Sequence, residues 1–223
     1  MTSLKDYLII ANGPFLDKNI IQESLKNKII VALDGAVNQL QKYKIKPQII
    51  LGDFDSINTA SKQYWGIVDY STQDVYLGQH NVLIVKALDQ NKTDLIKAIN
   101  YCDANGAQSI SIICATGGRE DHTEGTKLAL RSEYHQKRPI IVHTAYQSLR
   151  YARDETIQIH GAHNDYCGFI GINGGHGTSN GLKYECIKHS ESICNQLIHL
   201  TATLTITGDA LIILPPQLKS QKK

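Results

Sequence analysis

The chain has 223 residues, 42% of them hydrophobic and 20% charged, enough apolar side chain for one large core or two small ones and too apolar for a disordered chain. Its 23 basic and 21 acidic residues leave a net charge of +2, with no basic stripe of the kind that tracks a nucleic-acid backbone. The basic tail Lys219 to Lys223 reads as a solvated end. Met1 to Asp6 lacks the apolar core of a signal peptide, and no stretch is long enough to span a bilayer. Five cysteines (Cys102, Cys114, Cys167, Cys186 and Cys194) form no C-x-x-C pair, which fits a reducing compartment. The expectation is a soluble cytoplasmic protein without nucleic-acid or membrane partners.

Short apolar runs open the chain and recur along it. Tyr7 to Ile10, Lys28 to Leu33, Gln48 to Leu51, Asn81 to Val85 and Ser109 to Cys114 are rich in Ile, Val and Leu and predict buried strands. Helical patterns lie between some of them. Thr93 is a good N-cap, and Leu95, Ala98, Ile99 and Cys102 then share one helical face. A second helix is predicted from near Asp121 through Leu128 and Leu130 toward His135. Strands alternating with helices predict an α/β fold with a doubly wound, mostly parallel sheet over residues 1–145. From about Gln147 glycines become frequent and β-rich segments take over, predicting an all-β sandwich over 146–223. There Gly208-Asp209 reads as the turn of a hairpin joining His199 to Thr207 with Ala210 to Leu214. Gly171 to Gly177 reads as a loop, and His160 and His163 as loop surface.

The carboxylates fall where strands end. Asp34, Asp53 with Asp55, Asp89 with Asp94, and Asp121 each follow a predicted strand. In a parallel sheet all would project from its C-terminal edge, where open α/β sheets bind ligands. One Asp after a strand is commonly a turn former or cap. Several at one edge repel one another unless a cation intervenes, and hard oxygen donors suit Mg²⁺ on a nucleotide's phosphates. Asp53 and Asp55, one residue apart, would point the same way in extended backbone.

Ala115-Thr116-Gly117-Gly118-Arg119-Glu120-Asp121-His122 leaves a predicted strand and enters a helix. Paired glycines and a helix N-terminus favour an anion, and Arg119 adds a fixed cation. A Walker P-loop is missing, and Cys114 sits in an apolar run where a thiol is inert packing. His122 is placed to contact phosphate or orient a neighbour.

These motifs together resemble the thiamine pyrophosphokinases. Asn12-Gly13-Pro14, Asp34-Gly35-Ala36-Val37-Asn38, Gly52-Asp53-Phe54-Asp55-Ser56-Ile57, Asp89-Gln90-Asn91-Lys92-Thr93-Asp94 and Thr116-Gly117-Gly118-Arg119-Glu120-Asp121-His122 follow in the family's order, and Gly181-Leu182-Lys183-Tyr184 is similar to an element of its second domain. The resemblance implies transfer of the pyrophosphoryl group of ATP to the hydroxyl of thiamine, with Mg²⁺, in a homodimer whose β-sandwich domain helps bind thiamine. It implies Asp34, Asp53, Asp55 and Asp94 as catalytic and metal residues. Gln90, Arg119, Asp121 and His122 are carried over to the phosphates, and Asn38 and Thr93 to loop shaping. Two departures stand out. Thr123-Glu124-Gly125-Thr126 replaces a Leu-Ala-Asn-like continuation, and the family's Ser-x-Ser-Asn element, which the resemblance implies meets thiamine, survives here as the binding residues Ser192 and Asn195 of Ser192-Ile193-Cys194-Asn195. A pyrophosphokinase of the same fold acting on another alcohol, such as a hydroxymethylpterin, is the alternative.

Overall fold

The computed structural model describes residues 5–68 and 73–218. Met1 to Leu4 and the Lys219 to Lys223 tail, both read above, lie outside the described residues. The chain divides into two compact units, Met1–Ala129 and Leu130–Lys223. The apolar strand at residues 140–143 pairs with a strand of the second unit.

Among the described residues, six strands build the first unit: β1 (Lys5–Ile10), β2 (Ile29–Leu33), β3 (Ile49–Gly52), β4 (Val75–Leu77), β5 (Leu83–Lys86) and β6 (Ala107–Ile113). Their order is β6-β1-β2-β3-β5-β4, parallel throughout except for β4, which runs antiparallel to β5 at the edge. The central strands are apolar on both faces because both are covered: Leu8, Ile9, Ile10, Val31, Ala32 and Ile50 have no exposed surface. The edge strand β4 leaves Val75 and Leu77 half exposed or more. Helices α1 (Lys18–Ser24), α2 (Val37–Leu40), α3 (Thr59–Trp65), α4 (Asp94–Ala104) and α5 (Glu120–Ser132) fill the connections. Thr93 caps α4 as expected, its hydroxyl oxygen accepting the Ile96 N–H at 3.3 Å, and Leu95, Ala98, Ile99 and Cys102 are its buried face.

The order reverses at β1. Successive strands step from β1 to β2, β3 and β5, and the chain then returns to lay β6 on the other side of β1. A crevice opens outside the carboxyl ends of strands at such a switch point.

The second unit is antiparallel: β7 (Ile140–His143), β8 (Ser148–Arg153), β9 (Thr156–His160), β10 (Tyr166–Asn180), β11 (Glu191–Gln196) and β12 (Thr201–Leu214). The order is β11-β10-β12-β8-β7, with β9 also on β12. Alternate residues of the long strands β10 and β12 point into a core around Phe169, Leu204 and Ile212. This is the two-part α/β plus all-β architecture expected.

Two expectations inside this unit are corrected. Gly208-Asp209 is no hairpin turn; it lies within the single strand β12. There β12 leaves β9, its partner through Thr205, and joins β8, its partner from Asp209. Gly208 takes φ of 74° at that corner, and its N–H donates to Asp154 Oδ1 at 2.7 Å. Gly171 to Gly177 likewise belongs to β10, where the register against β12 shifts between Ile172 and His176. Glycine in a strand here marks a bulge that bends it. His160 ends β9 instead of lying in a loop, whereas His163 lies on an exposed loop.

Candidate active site

The first unit carries a cleft of about 780 Å³, lined by the segments that follow all five parallel strands. Asp34 begins the turn after β2, Asp53 follows β3, and Asp94 is the first residue of α4. One oxygen from each of these three carboxylates lies within 4.8 Å of the other two. Gly52 permits this approach, since a Cβ there would stand 2.8 Å from that of Asp34. The surrounding loops are clipped by Asn38, which donates to the Ser56 carbonyl at 2.9 Å and accepts the Asn58 N–H at 3.0 Å.

Asp34 is only 4% exposed. Its Oδ2 accepts the Ser56 N–H at 3.2 Å, while Oδ1 is buried without a hydrogen-bond partner. Burial pushes this carboxyl up to about 6; the Ser56 N–H opposes the shift, and neighbouring Asp53, Asp55 and Asp94 add to it. Burial acts on Asp53 in the same sense, but the Gln90 amide, nearby N–H groups and Lys97 outweigh it and hold Asp53 below the usual carboxylate range. Gln90 Nε2 donates to Asp53 Oδ2 at 3.2 Å. An orphaned buried oxygen beside two more carboxylates is the donor set a hard divalent cation fits.

Asp55 does not join the trio. Phe54, buried at 2% exposure, takes φ of 70°, so the backbone between the two carboxylates is bent and not extended. Asp55 accepts the Ser56 hydroxyl at 2.8 Å and lies close enough to help raise the Asp34 carboxyl. Asp89 also stays off the cleft wall and accepts the Asn91 N–H at 2.9 Å, the turn-forming role of an isolated Asp.

The glycine segment after β6 forms the opposite side of the cleft. Gly13 donates its N–H to the Cys114 carbonyl at 2.7 Å and so packs the segments after β1 and β6 together. The Arg119 guanidinium pairs side-on with Asp121, through Nε to Oδ1 at 3.1 Å and Nη2 to Oδ2 at 2.5 Å. Asp121 Oδ1 also accepts the His122 N–H at 3.0 Å. The Arg119 hydrogen bond holds Asp121 below the usual carboxylate range, and Asp121 raises Arg119 in return. Arg119, Asp121 and His122 all line the cleft and are exposed. Thr126, in the stretch that departs from the family pattern, places its hydroxyl 2.8 Å from the Ala115 carbonyl and ties α5 to the end of β6. Cys114 is buried, and burial pushes its thiol up to about 11, consistent with inert packing.

Ser192 and Asn195 lie on β11 in the second unit. The Asn195 side chain is saturated: Nδ2 donates to the Tyr184 carbonyl at 2.7 Å and to Ser192 Oγ at 2.8 Å, while Oδ1 accepts the Tyr184 N–H at 3.0 Å and the Gln196 N–H at 2.9 Å. It therefore binds the Gly181-Leu182-Lys183-Tyr184 segment to β11. Lys97 was missed by motif reading. Its only sequence signal is the helical spacing of three from Asp94, with which it pairs at 3.0 Å.

The profile of the thiamin pyrophosphokinase catalytic domain matches residues 21–142, more than half of the chain and the stretch that carries Asp34, Asp53, Asp94 and Arg119. The chain belongs to the thiamin pyrophosphokinase family. Thiamin pyrophosphokinase 1 of Caenorhabditis elegans is 34% identical over 126 residues, 52% of this chain and 45% of that protein, so the match spans less than half of the relative's length. Among solved structures, the thiamine pyrophosphokinase of Bacillus subtilis superposes with a TM-score of 0.76 at 22% identity, over 96% of this chain and 100% of that one. The thiamin pyrophosphokinase of Candida albicans gives 0.76 at 20% identity, over 97% and 90%. At such identities the structures establish the shared thiamin pyrophosphokinase fold, including the β-rich second unit that the family profile does not reach.

Proposed function

We propose that the chain is a magnesium-dependent thiamine pyrophosphokinase, which transfers the pyrophosphoryl group of ATP to the hydroxyl of thiamine and releases AMP and thiamine diphosphate. The observation that carries the proposal is the carboxylate trio Asp34, Asp53 and Asp94 in one cleft with Arg119, in a chain of this family. The thiamine hydroxyl oxygen attacks the β-phosphorus, the bond from that phosphorus to the oxygen bridging to the α-phosphate breaks, and AMP leaves with the electron pair. Such a reaction asks the protein mainly for alignment and charge neutralisation. Asp34, Asp53 and Asp94 would hold Mg²⁺, which supplies positive charge to the polyphosphate. Gln90 orients Asp53, and the outer edge of the Arg119 guanidinium is left to face phosphate oxygens. His122 stands beside it at the start of α5, whose N-terminus favours the same anion. Asp55 acts from outside the trio. A carboxylate of this cluster takes the proton the alcohol loses.

The second unit supplies thiamine contacts in this reading, with Ser192 on β11 and Asn195 shaping the adjoining loop. The protein is read as a cytoplasmic homodimer. Among the described residues no helix is long and apolar enough to cross a membrane. Light scattering of the purified chain should return twice the 24.8 kDa chain mass.

The deciding assay is AMP release from ATP with thiamine, compared with a panel of alcohols that includes a hydroxymethylpterin. Thiamine-dependent AMP is expected, reduced by about a hundredfold or more in Asp53→Asn. AMP release with the pterin and none with thiamine would replace the acceptor and leave the donor half standing.

A further inference from the structure

Lys97 lines the cleft with a side chain only 8% exposed, an unusual position for an ammonium. Its Nζ donates to Asp94 Oδ1 at 3.0 Å and to the Ala87 carbonyl at 2.9 Å. Ala87 directly follows β5 and Asp94 opens α4, so one ammonium bridges the two ends of the loop that carries Gln90. The Ala87 N–H in turn donates to the Gly52 carbonyl at 2.9 Å, one residue before Asp53. A continuous path of hydrogen bonds thus runs from the end of β3, through Ala87 and Lys97, to Asp94. The loop it closes has little core of its own: residues Leu88 to Thr93 are all exposed. The helix does not need Lys97 for capping, because Thr93 already does that.

We infer that Lys97 is a positioning residue: by bridging Asp94 and the Ala87 carbonyl it holds Asp94 at the separation from Asp53 and Asp34 at which the three carboxylates take a divalent cation. The inference rests on the metal reading of the site. It competes with a simpler role, that of a counter-ion relieving repulsion among the carboxylates. The two differ in sign. Removing a counter-ion from beside a cation site strengthens cation binding, because one repulsive charge is gone. Removing a brace weakens it, because Asp94 and its loop must be ordered by the metal itself.

The test is Mn²⁺ binding to the nucleotide-free full-length chain, read from the spin-resonance signal of free Mn²⁺, for wild type, Lys97→Met, Lys97→Gln and Lys97→Arg. Met and Gln are expected to weaken binding about tenfold or more, the usual range when a partner of a metal ligand is lost. Arg, which can still donate to both Asp94 and Ala87, is expected to recover much of it. In turnover, the Met and Gln variants should need more Mg²⁺ while KM for the alcohol at saturating Mg²⁺ stays unchanged. Unchanged or tighter Mn²⁺ binding in folded Met or Gln variants overturns the inference, as does failure of Arg to restore binding. If Met does not fold, the smaller polar change to Gln and the Arg rescue carry the same decision. A wild type that takes up no Mn²⁺ would overturn the metal reading itself, whereas wild-type binding with indifferent variants sinks only the role of Lys97.

Discussion

Asp34 concentrates an electrostatic cost in a single side chain. Its carboxyl is buried beside other carboxylates, with one oxygen unpartnered, and sits at about 6 instead of its ordinary 3.8. A raised carboxyl binds more protons in the folded chain than in the unfolded one. Its contribution to stability is therefore fully present below about 3.8 and lost as pH rises through about 6. Without metal the loss is of the order of 2–3 kcal/mol, at about 1.4 kcal/mol per pH unit of displacement. Asp34→Asn keeps an acceptor for the Ser56 N–H and removes the charge. We expect the metal-free variant to be more stable than wild type at pH 8 by about 1–3 kcal/mol in urea denaturation with a chelator, and to match it near pH 4. Equal stability at pH 8 would show that the buried charge carries no cost. Wild-type Mg²⁺ affinity should also fall as pH drops below about 6, because the cation competes with the proton. The lesson at Asp53 and Asp55 is also local. A D-x-D pattern is legible in sequence, but which carboxylate reaches the trio depends on the left-handed backbone of Phe54, an uncommon conformation for a bulky residue.

Among the elements, the parallel strands were legible because burial on both faces demands continuous Ile, Val and Leu runs, as in β1 and β3. The helix α4 was legible because its cap and its apolar spacing agree. The antiparallel half was harder to read. Gly208-Asp209 has the composition of a hairpin turn, yet the chain runs through it as one strand that changes partner. A glycine with positive φ serves a turn and a bulge equally, and only the neighbouring strands decide between them. Gly208→Ala should therefore cost about 1–2 kcal/mol in chemical denaturation, the penalty of a side chain at φ of 74°. A change within a few tenths would mean that β12 adopts another path at that corner. Asn195 shows the same limit for a motif: its amide engages Tyr184, Ser192 and Gln196, and no sequence pattern names the Tyr184 segment as its partner.

At the scale of the molecule, the residues assigned to the metal and the phosphates come from four separated segments yet fall in one compact unit. Mg²⁺ with a non-hydrolysable ATP analogue should consequently slow amide exchange first in segments 87–94 and 115–123. It should also stabilise the fold by the amount linkage requires, about 2.7 kcal/mol at a hundred times Kd, and raise the melting temperature accordingly. Protection confined to residues 166–196 would place the nucleotide elsewhere and refute the assignment.

The sequence by itself determined that the fold has an α/β half and a β half, and that carboxylates and an arginine gather at one sheet edge. Strand periodicity, the N-cap and the residue types at strand ends carry that information locally. Only the tertiary structure decided which carboxylates meet, that Lys97 reaches back to Ala87, and where β10 and β12 bend. Those outcomes depend on side chains and strands brought together from distant positions, and no local pattern records whom a residue will meet.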